Sequence, residues 1–252
     1  MRLRHLLPVT ILFCLFTVLS FSFRETERKK DGELVIQFNH FVGDQALVLD
    51  SVTYRNSLQQ PFQVTAFKYY VSNIHLVKTD GKSVSVPGYF LVNDEEPDSR
   101  KIQLSNLPEG NYSRIEFLIG VDSARNCSGI QKDALDPAKG MFWAWNTGYI
   151  FLKLDGISPQ STAPGHKLEY HIGGFKQPNN HLRTIRLETP GLQIHSKTKS
   201  TLGIKADAAN LLSAPHPIDF SKTPMVVDAD KAGGIADHVL RLFSVTGIEN
   251  GL

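Results

Sequence analysis

The sequence predicts a mainly β protein, a β-sandwich of antiparallel strands with a short C-terminal helix. Many short runs rich in β-branched and aromatic residues follow one another with turn signals between them, and one late stretch alone shows sustained helical spacing. No Pro-, Gly- or Ser-rich linker divides residues 24–252, so they read as a single domain.

Leu34, Ile36, Phe38 and His40 alternate with Val35, Gln37, Asn39 and Phe41, a half-buried strand that puts His40 on the Phe38 face and ends at Gly43 and Asp44. Ala46 to Val52 is a second β-rich run. Phe62 to Val77 is long and β-branched, closes at Thr79-Asp80-Gly81-Lys82, and carries Asn73 where a break or bulge is expected. Ser83 to Val86 and Tyr89 to Val92 flank Pro87-Gly88, and acidic Asn93 to Ser99 reads as a surface loop. Lys101 to Leu104 and Tyr112 to Val121 are strands joined by Leu107-Pro108-Glu109-Gly110.

Asp122 to Ala138 has no sustained period and is long for a mere connection, the property of a loop that carries function. Gly140 to Gly156 then holds both tryptophans, Trp143 and Trp145, and runs into Tyr149, Phe151 and Leu154, a core strand leaving a shaped loop. His166 to Gly174, His181 to Leu187 and Gly191 to His195 continue the β pattern, and Leu202 to Leu212 reads as strand into short helix. In Asp228 to Phe243, Ala232, Ile235, Ala236, Val239, Leu240 and Phe243 recur at three- and four-residue spacings, with Asp228 or Asp230 as cap.

The chain opens with Arg2, Arg4 and His5, an apolar run Leu6 to Leu19, and the charged run Arg24 to Asp31. Residues 1–23 therefore read as a secretory signal segment, and the protein as exported to the periplasm or cell envelope. Attachment to a membrane would come only through that segment left uncleaved. Without it the 27 basic residues lose Arg2 and Arg4, and the remaining 25 match the 25 acidic ones. A formally neutral chain with no basic run after Lys30 gives no electrostatic case for nucleic acid. Cys127 is the single cysteine beyond the signal, so no internal disulfide is expected; it reads as a semi-buried small residue, with metal ligation as the alternative.

No G-x-S-x-G, H-E-x-x-H, Walker-type phosphate loop or C-x-x-C is present, and the chain reads as non-catalytic. Eight of the nine histidines lie beyond the signal. His40 and His171 stand out because each occupies a strand beside aromatic or glycine-rich sequence, and imidazole is a good ligand for copper and zinc. Asp122, Asn126 and Asp136 supply oxygens suited either to calcium or to locking their own loop through Asx turns.

Taken together, FNHFVGD at Phe38 to Asp44, FKYYVSNIHL at Phe67 to Leu76, the long segment Gly120 to Gly156, and YHIGG at Tyr170 to Gly174 resemble the MbnP-like family, over nearly the whole chain beyond the signal. That family includes copper-binding proteins of methanotrophic bacteria. The resemblance implies copper held by histidines and an oxidised tryptophan two residues before the first histidine, and a di-haem peroxidase-like partner. Aligning His40 with the first histidine puts Phe38 at the tryptophan position, and Phe90 falls where a second histidine is expected. What the resemblance leaves is copper on His40 with His171, walled by Phe38, Trp143 and Trp145. The alternative is a non-metal binding or structural module of the cell envelope, whose Asp122 to Asp136 loop faces a partner protein or glycan.

Overall fold

The computed structural model describes residues 31–143, 148–213 and 215–251. Fourteen strands occupy them: β1 (Gly32–Val42), β2 (Gln45–Ala46), β3 (Tyr54–Arg55), β4 (Pro61–Lys78), β5 (Ser83–Asn93), β6 (Lys101–Leu107), β7 (Gly110–Ile119), β8 (Phe142–Trp143), β9 (Gly148–Ile157), β10 (Lys167–Gly173), β11 (Arg183–Ile194), β12 (Lys199–Asp207), β13 (Met225–Val226) and β14 (Phe243–Glu249). Three helices are short: α1 (Ser123–Asn126), α2 (Ala208–Ser213) and α3 (Ala229–Ala236). Among the described residues no helix is long and apolar enough to cross a membrane. The expected signal segment lies outside the described residues.

The strands form two sheets. One runs β14-β12-β1-β2, with β6 also paired to β1; the other runs β11-β7-β4-β9-β10-β13, with β3 and β5 on β4 and β8 on β9. The mainly β prediction holds, but the sheets are mixed: β1 pairs β12 in parallel, as does β10 with β13. Local alternation reports which face a strand buries and is the same for either direction of its neighbour, so the parallel pairs carry no sequence signal.

In β1 buried and half-buried residues alternate without a break, and Leu34, Ile36, Phe38 and His40 all face the other sheet. β4 is the strand both halves share, and it keeps its apolar face inward over 18 residues only by slipping register twice. The slips fall at Val64/Ala66 against β9 and at Ser72/Ile74 against β5, so that Phe62, Val64, Phe67, Tyr69, Val71, Ile74 and Leu76 all join the core between the sheets. At the second slip Asn73 takes φ 49°, a left-handed conformation that asparagine tolerates better than most side chains, which confirms the bulge expected there.

The slips also expose a second face. Tyr70 of β4 and Tyr149 and Phe151 of β9 point away from the inter-sheet core, and Val121, Leu135, Met141, Trp143 and Ala229 cover them as a separate apolar cluster. The molecule thus has a third layer, made by the segment after β7 and the start of α3, on the outer face of the nine-stranded sheet.

Several boundaries differ from expectation. The run Ala46 to Val52 pairs only at Gln45–Ala46. The pieces flanking Pro87-Gly88 are one strand, as are those flanking Pro190-Gly191, each with an irregular register at the break. The helix expected to reach Phe243 ends at Ala236, continues as a 3-10 turn over Asp237–Arg241, and gives way to β14. Gly233 and Gly234 weaken that helix, and pairing of Phe243, Ser244 and Val245 with β12 competes for its last turn.

Candidate functional site

A buried polar group between the two sheets is built on His40. Its Nδ1 lies 2.7 Å from Asp94 Oδ1 and its Nε2 lies 3.0 Å from the Tyr69 hydroxyl. An ionised carboxylate only accepts, so Asp94 fixes the ring proton on Nδ1, and Nε2 accepts a hydrogen bond from the Tyr69 hydroxyl. The imidazole side chain is 0% exposed, with ring centroids of Phe67 and Tyr69 at 4.9 and 5.6 Å. Arg100 approaches the same Asp94 Oδ1 at 3.4 Å. The group joins the two sheets, since His40 belongs to β1 and Tyr69 to β4, and Asp94 follows directly on β5.

Burial pushes the His40 imidazole below its ordinary value; the bond and charge of Asp94 oppose this, and Arg100 adds to it. Burial also raises the Tyr69 hydroxyl well above the usual phenol, with Asp94 adding to the rise, so both groups are neutral near pH 7. The unfolded imidazole titrates near 6.5 and therefore binds a proton before the folded one. Stability contributed here is complete above about pH 6.5 and is lost as pH falls below it. His238, buried and bonded through Nδ1 to the Leu211 carbonyl at 2.7 Å, is shifted in the same direction by burial. Denaturant titrations from pH 7.5 to 5.5 should show wild type losing more stability than His40→Gln over this interval; parallel losses would remove His40 as the titrating group.

His171 belongs elsewhere. Lys68 of β4 pairs across with Lys153 of β9, and Lys153 with His171 of β10, so the three share the face opposite Tyr69, Leu152 and Ile172. Leu152 and Ile172 are in the inter-sheet core, which places His171 on the outer face and His40 on the inner one. The two histidines expected to share an ion are thus separated by the nine-stranded sheet. His171 Nε2 is held by Asp155 Oδ1 at 2.7 Å, Lys153 reaches the same carboxylate at 3.3 Å, and Nδ1 is buried without a partner among the described residues.

The aromatics expected to wall one site divide in the same way. Phe38 packs edge-on to Tyr69, Phe117 and Phe243 between the sheets, while Trp143 is buried in the outer cluster. Trp145 lies outside the described residues. Phe90 packs against the inter-sheet core, and its strand neighbours Tyr89 and Leu91 pack against the outer one.

Asp122, Asn126 and Asp136 lock their loop. Asp122 caps α1 by accepting from the Arg125 amide at 3.1 Å and also accepts from the Tyr89 hydroxyl. Burial works to raise its carboxyl, but these donors together with Asn73 outweigh it and hold it below the usual range. Asn126 donates to the carbonyls of Val121 and Asp122 and accepts from the Tyr149 amide at 3.0 Å, and Asp136 accepts from the Ala138 amide at 2.9 Å. These are the Asx-type bonds of the loop-locking alternative. Cys127, expected to be semi-buried, is an exposed free thiol.

Copper requires unprotonated donors that converge. On His40 one nitrogen carries a proton and the other is engaged by Tyr69; His171 faces the other way; and among the described residues no group of three His, Cys, Asp or Glu side chains is placed to hold a metal ion. The residues as arranged do not fit a copper centre at His40. Reading the sequence missed Tyr69 and Asp94, the two partners that decide this. Tyr69 was legible as a same-face neighbour of Phe67, whereas Asp94 sits in an acidic stretch with every mark of a surface loop.

The MbnP family model matches residues 31–229. The solved structure of MbnP from Methylosinus trichosporium superposes with a TM-score of 0.52 at 14% identity, covering 84% of this chain and 88% of that one. No curated protein matches. A family match over most of the chain, on a shared fold, means that this chain belongs to the MbnP family.

Proposed function

We propose that this protein is a non-catalytic binding module of the cell envelope that engages a partner protein through its outer layer. The supporting observation is the way the segment after β7 is fixed. Tyr70 donates to the Ala134 carbonyl at 3.0 Å, Tyr149 to the Leu135 carbonyl at 2.7 Å, and Tyr89 to Asp122, so three tyrosine hydroxyls rising from the sheet pin one loop in a single shape. Pre-organisation of this kind lowers the ordering cost of binding.

Between Tyr89 and the pinned loop lies an open cleft of about 510 Å³, with Arg125, Ile130, Gln131, Lys132 and Leu135 along it. The Arg125 guanidinium lies 5.6 Å from the Tyr89 ring centre, and Ile130 is 88% exposed. Asp122 stays ionised, but its oxygens are occupied by the Tyr89 hydroxyl and the Arg125 amide, so among the side chains that line the cleft Arg125 and Lys132 are set against Asp133. An exposed aliphatic side chain beside two cations suits a partner segment that presents an apolar residue next to a carboxylate. Export is supported by the basic start and apolar run of residues 1–19.

A photo-crosslinking amino acid at position 130, introduced in cells that make the protein, tests this reading. The expected result is one discrete adduct that Arg125→Glu abolishes; no adduct, or one indifferent to Arg125→Glu, would count against the cleft. Copper handling, with or without a di-haem peroxidase-like partner, is the competing reading that family membership brings, and the geometry of His40 weighs against it.

A further inference from the structure

We infer that His40, although it occupies the histidine position that the family resemblance assigns to copper, is in this chain a structural strut that excludes the metal. The inference is independent of the cleft on the outer layer, because it concerns the opposite face of the nine-stranded sheet.

Three features combine. The lone pair that a metal would need, on Nε2, already accepts a hydrogen bond from the Tyr69 hydroxyl at 3.0 Å, and the proton on Nδ1 is committed to Asp94 at 2.7 Å. Displacing Tyr69 would strand its hydroxyl among Phe38, Phe67 and Phe243, whose ring centres lie 5.7, 5.4 and 5.3 Å from its own and offer no replacement acceptor. A buried hydroxyl without a partner therefore opposes any coordination that begins at Nε2.

Among the described residues, no group of three His, Cys, Asp or Glu side chains gathers around the imidazole. Phe38, two residues before His40 and on the same face, puts a hydrocarbon ring with no donor atom beside the imidazole on the inner face of β1. Its neighbour across the core, Phe117, is also a hydrocarbon, 6.0 Å away between ring centres. With the imidazole sealed from solvent, a copper ion would have to shed its water to meet one occupied nitrogen and an aromatic wall. The hydrocarbon ring of Phe38 and the engagement of Nε2 by Tyr69 act together: aromatic side chains take the space beside the imidazole, and the histidine joins the sheets.

The test uses the whole chain, loaded separately with Cu(II) and with Cu(I) under reducing conditions, dialysed, and analysed for bound metal. Wild type and His40→Gln should retain the same amount of copper, and His40→Gln and Asp94→Asn should both unfold at lower denaturant than wild type. One equivalent of copper held by wild type and lost in His40→Gln would overturn the inference. If His40→Gln does not fold, nitrogen NMR of the wild-type imidazole decides the question. Ring shifts unmoved by Cu(I) support the strut, and a His40 shift that saturates at one equivalent overturns it.

Discussion

Trp143→Ala is expected to lower the free energy of unfolding by about 3–5 kcal/mol, the range for removing a fully buried large aromatic side chain. Trp143 sits at the end of β8 and is 1% exposed, enclosed by the outer apolar cluster with Tyr70, Tyr149, Phe151 and Met141. Neither of the two neighbouring anchors can collapse into the space, because the Tyr70 and Tyr149 hydroxyls are tied to the Ala134 and Leu135 carbonyls. The cavity therefore persists and the cost falls toward the upper part of that range. Urea titration reads it as a lower midpoint at unchanged slope. A loss below about 1 kcal/mol would mean that the outer layer contributes little to the cooperative core.

Gly173→Ala is expected to cost about 1–3 kcal/mol through overpacking against that same indole. A Cβ on Gly173 would lie 2.6 Å from Trp143 Cζ3 and 2.7 Å from the Tyr149 carbonyl oxygen, and a fully buried ring and a strand carbonyl have little room to give. The two effects are coupled. In a double-mutant cycle, Trp143→Phe combined with Gly173→Ala should destabilise by less than the sum of the single changes, because the smaller ring vacates the contested space. Additivity within about 0.5 kcal/mol would show that the ring is not what the glycine accommodates. YHIGG and the tryptophan segment, distant in sequence, are thus one packing unit on the outer face.

The alternation in β1, the long apolar run of β4 with its interruption at Asn73, and the aromatic strand β9 were legible before any coordinates, because period-two burial is a local property that each strand displays by itself. The short terminal helix was legible from its spacing, but β14 was not: its exposed and half-buried residues alternate too weakly, and its place is set by pairing with β12. The candidate ligands illustrate the same division. His40 was correctly placed beside Phe38, and His171 correctly placed in a strand, yet nothing local says which side of a shared sheet a distant strand will turn outward.

By itself, then, the sequence determined the mainly β class, the faces of the individual strands and, through its motifs, the resemblance to the MbnP-like family. Tertiary structure alone decided what those faces meet. It set Asp94 and Tyr69 on the two nitrogens of His40, turned His171 to the other side of the nine-stranded sheet, and folded the segment around Trp143 into a third layer. The reason is that a side chain's chemistry depends on which partners satisfy it. Those partners come from positions 29 and 54 residues away, brought together by two register slips in β4 and by packing of one sheet on the other.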